Sequence, residues 1–99
     1  IYLLTKKFPQ SEQYGLVSQL NRCSVSIPSN IAEGVGRNSD KELLRFLNIS
    51  MGSCFEAETQ LLLAKELKFV NENEINTALE KLITIQKMIS GFKKRLTKD

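Results

Sequence analysis

The stretch that decides the fold is Leu16-Val17-Ser18-Gln19-Leu20-Asn21-Arg22-Cys23-Ser24-Val25-Ser26-Ile27-Pro28-Ser29-Asn30-Ile31-Ala32-Glu33-Gly34. Leu16, Leu20, Cys23, Ile27 and Ile31 fall at i, i+4, i+7, i+11 and i+15, which is one apolar stripe on a helix. The spacing predicts a helix that opens near Pro9–Ser11 and runs to about Gly34, with Gly34 and Gly36 giving the backbone freedom to leave it. Pro28 lies inside this helix. It removes the bond to the Ser24 carbonyl and predicts a bend around neighbouring helices.

Working outward, the same period returns twice and no segment alternates like a strand. Ser39-Asp40-Lys41-Glu42 reads as a capping box, the Ser39 hydroxyl on the Glu42 amide and the Glu42 carboxylate reaching back. The helix it opens runs to about Phe69. Leu43, Leu47, Ser50, Cys54, Ala57, Leu61 and Ala64 keep heptad spacing along it, widened by Leu44, Met51, Phe55 and Leu62. Asn71-Glu72-Asn73-Glu74 is a second cap, and Ile75, Leu82, Ile85, Ile89, Phe92 and Leu96 share one face of the last helix. Before Phe8-Pro9, Ile1–Lys7 reads as the final turns of a further helix. The long helices each span about 24 to 30 residues, roughly 36 to 45 Å. Connections of about four residues make neighbours antiparallel. The expectation is an all-α, up-down antiparallel four-helix bundle whose first helix is truncated, in one domain over 1–99. Three full helices and a stub imply either a missing part of helix one or an apolar surface covered by another subunit.

Inside these apolar helices stand two polar stripes. Arg22, Ser26, Asn30, Glu33 and Arg37 are spaced by four, four, three and four; Ser53, Glu56 and Gln60 repeat the pattern beside Gly52. Each set shares a helix face. If the stripes meet, Arg22 neutralises Glu56 while Asn30 and Ser53 complete the hydrogen bonds. Ser26, Asn30, Glu33, Gly34, Ser53, Glu56 and Gln60 then form, with Arg22, a structural seam that fixes register. Gly52 reads as a point of close helix approach.

The 99 residues are 41% hydrophobic and 25% charged, ordinary for a globular chain, with formal charge +3. The charge is uneven: residues 85–99 sum to +4 and the remaining 84 to −1. Uncharged stretches reach only ten residues, Cys23–Ala32 and Phe46–Phe55, too short for the roughly 20 residues of a spanning helix. No secretory signal is visible, and the first residue is Ile, which suggests that an N-terminal piece is missing. Two lone cysteines on apolar stripes read as small buried hydrophobes in a reducing cytoplasm.

With no histidine in the chain, Ser-His, Cys-His and zinc-histidine arrangements are excluded, as is a di-iron bundle built on Glu-x-x-His. Glu33 and Glu56 offer paired carboxylates without a nucleophile. Glu33-Gly34-Val35-Gly36-Arg37 lacks the strand and spacing of a phosphate loop. The reading is no enzyme, no metal and no cofactor. Basic residues do suggest phosphate contacts. Lys93, Lys94, Arg95 and Lys98 form a cationic tip, Lys6 and Lys7 lie at a bundle end, and Arg37 follows the second helix. A lysine-rich helix terminus that complements the dipole explains the tip equally.

The residues Phe8-Pro9, Glu12, Tyr14-Gly15-Leu16, Ser26-Ile27, Asn30-Ile31-Ala32-Glu33-Gly34 and Arg37 resemble the four-helix bundle family of 23S rRNA intervening-sequence proteins. Phe46-Leu47, Gly52-Ser53, Glu56 and Glu58-Thr59-Gln60-Leu61 continue the pattern, so the resemblance covers about residues 1 to 70. It departs at Lys68, where glycine commonly precedes the aromatic, and at Ser50-Met51. The resemblance implies a left-handed bundle assembling as a homopentameric ring, and a ribosome-associated setting, since some members are encoded within rRNA genes. A distantly similar bundle, the accessory protein of diversity-generating retroelements, binds nucleic acid and a reverse transcriptase. The resulting expectation is a non-enzymatic oligomer that binds RNA or another nucleic acid, the alternative being a protein–protein scaffold without nucleic-acid contact.

Overall fold

Periodicity, caps and chain breaks produce a helical bundle. The computed structural model describes residues 1–97, and no strand occurs among them. It has a short α1 (Tyr2–Thr5) and three long helices, α2 (Ser18–Val35), α3 (Asp40–Glu66) and α4 (Glu72–Thr97).

α2 begins later than its apolar stripe predicts. A 3₁₀ turn over Gln10–Glu12 and a π turn over Gln13–Val17 precede it, leaving 18 residues of α-helix. Pro9 is compatible with a helix start, but Gly15 inside the π turn weakens helix propensity. Once started, α2 continues through Pro28 without interruption.

α3 opens as expected at its N-cap: the Glu42 amide donates to the Ser39 hydroxyl at 3.1 Å. The reciprocal half of the capping box is absent, because the Glu42 carboxylate accepts from the Arg45 guanidinium instead. α3 ends at Glu66, short of Phe69. Lys68 takes the left-handed conformation with φ 57°, and the Phe69 amide reaches back to the Ala64 carbonyl at 3.1 Å. This is the six-to-one closure of a Schellman motif, which glycine accommodates more easily than lysine. The closure that glycine commonly serves is thus kept with Lys68 in its place. α4 follows after Asn71, whose side-chain oxygen accepts from the Asn73 amide at 2.7 Å.

The register is antiparallel throughout. Ser26 meets Ser53 and Gly34 meets Phe46 between α2 and α3. Gln86 donates to Glu58, and Lys65 to Asn76, between α3 and α4. α3 is therefore the central helix. Its stripe of Leu47, Ser50, Cys54, Ala57, Leu61 and Ala64 is buried against both neighbours, as the heptad spacing predicts. Ser50 is fully buried and donates to the Ile27 carbonyl at 2.8 Å, so its hydroxyl has a partner.

α2 and α4 share few contacts with each other, and an apolar groove of about 1280 Å³ lies between them. Leu47 floors it, Ile27 and Ile31 form one wall, and Ile85, Met88 and Phe92 form the other. α1 closes one end with Leu3 and Leu4, held by the Thr5 hydroxyl donating to Asn21 and by Lys7 paired with Glu74 at 2.9 Å. The groove occupies the position that a fourth long helix takes in an up-down bundle.

The glycines differ from expectation. Gly34 and Gly36 do not serve an unusual backbone conformation, since no glycine has positive φ among the described residues. Gly34 instead marks where α2 and α3 approach: a Cβ there would stand 2.8 Å from Phe46 Cβ. Gly52, expected at a close approach, faces open space.

Candidate nucleic-acid interface

The two polar stripes do meet, in part. Ser26 and Ser53 hydroxyls lie 2.8 Å apart, and the Asn30 amide donates to the Ser26 hydroxyl and carbonyl at 2.9 and 2.8 Å. The Cys23 thiol donates to Glu56 at 3.4 Å and lies 3.9 Å from the Gln60 oxygen. Arg22 does not neutralise Glu56: both side chains are exposed and neither joins an ion pair among the described residues. A long arginine at the edge of a seam gains more from water than from a fixed exposed partner. Glu33 likewise points away from the seam and pairs with Arg37 at 2.8 Å. What remains is a short hydrogen-bonded register device.

No group of metal-ligating side chains occurs among the described residues, and the seam offers no activated nucleophile. Burial and, secondarily, the Glu56 carboxylate push the Cys23 thiol up to about 11 from its ordinary 9.0. Cys54 is displaced the same way by burial, then by Glu58. Neither is the reactive thiolate of a catalytic cysteine. The Cys23 shift has a testable sign. The folded chain holds this proton to about pH 11 while the unfolded chain releases it near 9, so the associated stability is complete below pH 9 and is lost as pH rises through 11. Urea unfolding at about pH 8 and about pH 10.5 should show the wild type losing on the order of 2 kcal/mol more than Cys23→Ala. Equal losses would mean that the folded chain holds the Cys23 proton no more tightly than the unfolded chain.

The candidate phosphate contacts separate into two groups. Lys6 and Lys7 lie at the end where α4 begins, with Lys7 tied to Glu74. Arg37, Lys93, Lys94 and Arg95 lie at the opposite end of a molecule 47 Å long, where α2 turns into α3 and α4 finishes. Lys98 is outside the described residues. The seven positions therefore do not form one patch on a single chain.

The second end is the stronger field. α4 carries three acidic residues, Glu72, Glu74 and Glu80, in its first nine positions; from Lys81 to Thr97 it carries five cations and no carboxylate. Each half complements the helix dipole. Across from its last turn, Phe46 is flanked by two guanidinium groups, Arg45 at 4.5 Å and Arg37 at 5.1 Å from the ring centroid. The Arg45 hydrogen bond holds the Glu42 carboxyl below its usual range. Arg37 and Arg45 are thus partly neutralised by Glu33 and Glu42, whereas Lys41, Lys94 and Arg95 have no acidic partner among the described residues. Lys41 and Arg45 escaped the sequence reading. Their four-residue spacing on the first turns of α3, just after Arg37, was the available signal. Phe92 and Phe46 are half-buried and buried, so neither presents an open ring for base stacking.

An end rich in ammonium and guanidinium groups, with no open stacking ring at Phe46 or Phe92, can bind phosphates. No curated protein matches the chain. A family model described as 23S rRNA-intervening sequence protein matches residues 1–91, which takes in α1, α2, α3 and most of α4. The all-α bundle and this match agree with the resemblance carried by the Asn30–Gly34 and Gly52–Leu61 motifs, and the chain belongs to the 23S rRNA-intervening sequence protein family.

Proposed function

We propose that this protein is a non-enzymatic, self-assembling helical bundle of the cytoplasm that binds RNA or another nucleic acid through its cationic end. The observation that carries the reading is the run of α4 from Lys81 to Thr97, with five cations and no carboxylate, ending beside Arg37, Lys41 and Arg45. Such a field recruits phosphates with little dependence on sequence and with strong dependence on salt. Assembly into a homopentameric ring, as the family resemblance implies, repeats the end once per subunit and converts a weak single contact into a multivalent one. Lys6 and Lys7 contribute only if assembly or bending of the RNA brings the opposite ends within reach. No described helix is long and apolar enough to cross a membrane.

The test is a titration of labelled structured RNA at several salt concentrations. Binding should weaken linearly in log–log form, and Lys94→Ala with Arg95→Ala should lower the slope by about one per phosphate contact removed. Absence of affinity at low salt would sink the reading. That outcome would leave the protein-scaffold alternative, which the open apolar groove between α2 and α4 favours.

A further inference from the structure

The aromatic rings at the cationic end are already covered by cations. Phe46 is buried, with the Arg45 and Arg37 guanidinium groups 4.5 and 5.1 Å from its ring centroid. Phe92 is half-buried, and the Arg95 guanidinium lies over its ring at 5.5 Å. A single strand bound without sequence preference is held by bases stacked on open aromatic faces along a cationic track. Here the faces that such bases would need carry guanidinium groups instead. Two exposed rings lie elsewhere. Tyr2 is on α1 at the opposite end, and Phe55 is on α3, nine residues and about 14 Å along the helix from Phe46.

The cations are not laid out as a track either. Arg37, Lys41 and Arg45 are offset by Glu33, Asp40 and Glu42, so the net field at this end comes from α4. Lys93, Lys94 and Arg95 are consecutive on that helix, and consecutive side chains leave a helix about 100° apart. They fan out around its last turns, with Lys87 about two turns before Lys94. Such a fan meets phosphates on both sides of a groove, whereas a row at three- or four-residue steps would follow one backbone. The molecule measures 23 × 16 Å across its long axis, broader than the roughly 12 Å major groove of a duplex, so the end rests on the phosphate ridges. A duplex carries one charge per ~1.7 Å of axis, twice the density of either strand alone.

We propose that the cationic end binds the backbone of double-stranded nucleic acid in preference to a single strand. The proposal rests on the nucleic-acid reading above and names the form of nucleic acid that the same end takes. Lys93, Lys94 and Arg95 contact phosphates of both strands, while Phe46 and Phe92 hold guanidinium groups rather than bases. RNA and DNA duplexes share this chemistry, and the test separates them.

Fluorescence anisotropy of the whole chain against end-labelled probes of equal length tests this: an RNA hairpin, a DNA hairpin and an oligouridine strand, each over about 50 to 200 mM salt. Slopes of about −0.9 and −0.7 per phosphate give a hairpin about a sixfold advantage at about 0.1 M salt when about four phosphates are neutralised. At least one hairpin should therefore bind about sixfold tighter than the strand and with the steeper slope. A preference for one hairpin identifies the duplex, and a preference for both means that the backbone geometry shared by RNA and DNA duplexes suffices. Lys94→Glu combined with Arg95→Glu, both at exposed positions, should lower hairpin affinity by at least about tenfold with the helical circular dichroism unchanged. Unaltered hairpin affinity in that variant would move the contact off this end and overturn the assignment. An oligouridine strand that binds as tightly as both hairpins overturns the preference while nucleic-acid binding stands, and its weakening by Phe55→Ala would then identify a stacking ring on α3. No affinity for any probe at the lowest salt removes the nucleic-acid reading itself.

Discussion

Truncating Leu61 to alanine is expected to lower the unfolding free energy by about 3–5 kcal/mol, the upper part of the range for buried leucines. Leu61 is fully buried on α3, the helix that packs against both others. Its neighbours one turn away on the same stripe, Ala57 and Ala64, are also fully buried and too small to fill the space it leaves. The cavity is closed, so the lost apolar contacts are replaced by nothing. Leu47 is the informative comparison. It too is fully buried, yet it floors the groove between α2 and α4. A cavity there opens into the groove, and Ile85 or Phe92 can relax toward it, so Leu47→Ala should cost less, about 2–3 kcal/mol. Urea midpoints at constant m-value measure both. Equal losses would mean that the groove is filled in solution and that Leu47 is as enclosed as Leu61.

That comparison also marks where reading the sequence stops. The stripe predicted the buried face of α3 from Leu47 to Ala64, because a heptad specifies angular position on a helix; Leu43 at its start is half-buried, and Phe55 and Leu62, expected to widen it, are exposed. It did not predict the groove. Ile85, Met88 and Phe92 follow the same apolar period as Leu82 and Ile89, and periodicity cannot tell a side chain that reaches a neighbour from one that faces a gap. Caps were legible at Ser39 and Asn71, where a short polar side chain has one local use. They were less so at Glu42, whose carboxylate had Arg45 as a competing partner one turn away.

The candidate site shows the same division. The Ser26–Ser53 contact follows from two stripes with equal steps, and short hydroxyls leave few alternatives once α2 and α3 are antiparallel. Arg22 and Glu33 share those stripes, but their longer side chains swing outward, one to solvent and one to Arg37. Charge along α4 was visible in the composition of its last residues. That Arg37, Lys41 and Arg45 share its end, and that Lys6 and Lys7 do not, required the order of the helices in space.

Gly34→Leu should destabilise the chain by about 3 kcal/mol, at the top of the range for forcing volume into a packed contact. The first added atom decides this. A Cβ at Gly34 would lie 2.8 Å from Phe46 Cβ, 3.0 Å from Leu43 Cδ1 and 3.3 Å from the Leu43 carbonyl oxygen. Leu43 Cδ1 can rotate away. Phe46 Cβ and the Leu43 carbonyl are fixed to the α3 backbone, so the C-terminal end of α2 must move off α3. The better helix propensity of leucine returns less than about 1 kcal/mol, too little to offset the displacement. Gly36 is the control, two residues on. Its φ of −75° suits any residue, and the nearest atom to an added Cβ is 3.5 Å away. Gly36→Ala should therefore be neutral or stabilising by up to about 1 kcal/mol, through the unfolded chain. If glycine were needed here for a flexible exit from α2, Gly36→Ala would be the damaging change and Gly34→Leu the mild one; thermal melts of the two variants decide between these orders. The consequence extends to the cationic end. Phe46 sits between Arg37 and Arg45, so a shift of α2 on α3 that a second-site change made tolerable would still separate those guanidinium groups, and phosphate affinity should fall without loss of fold.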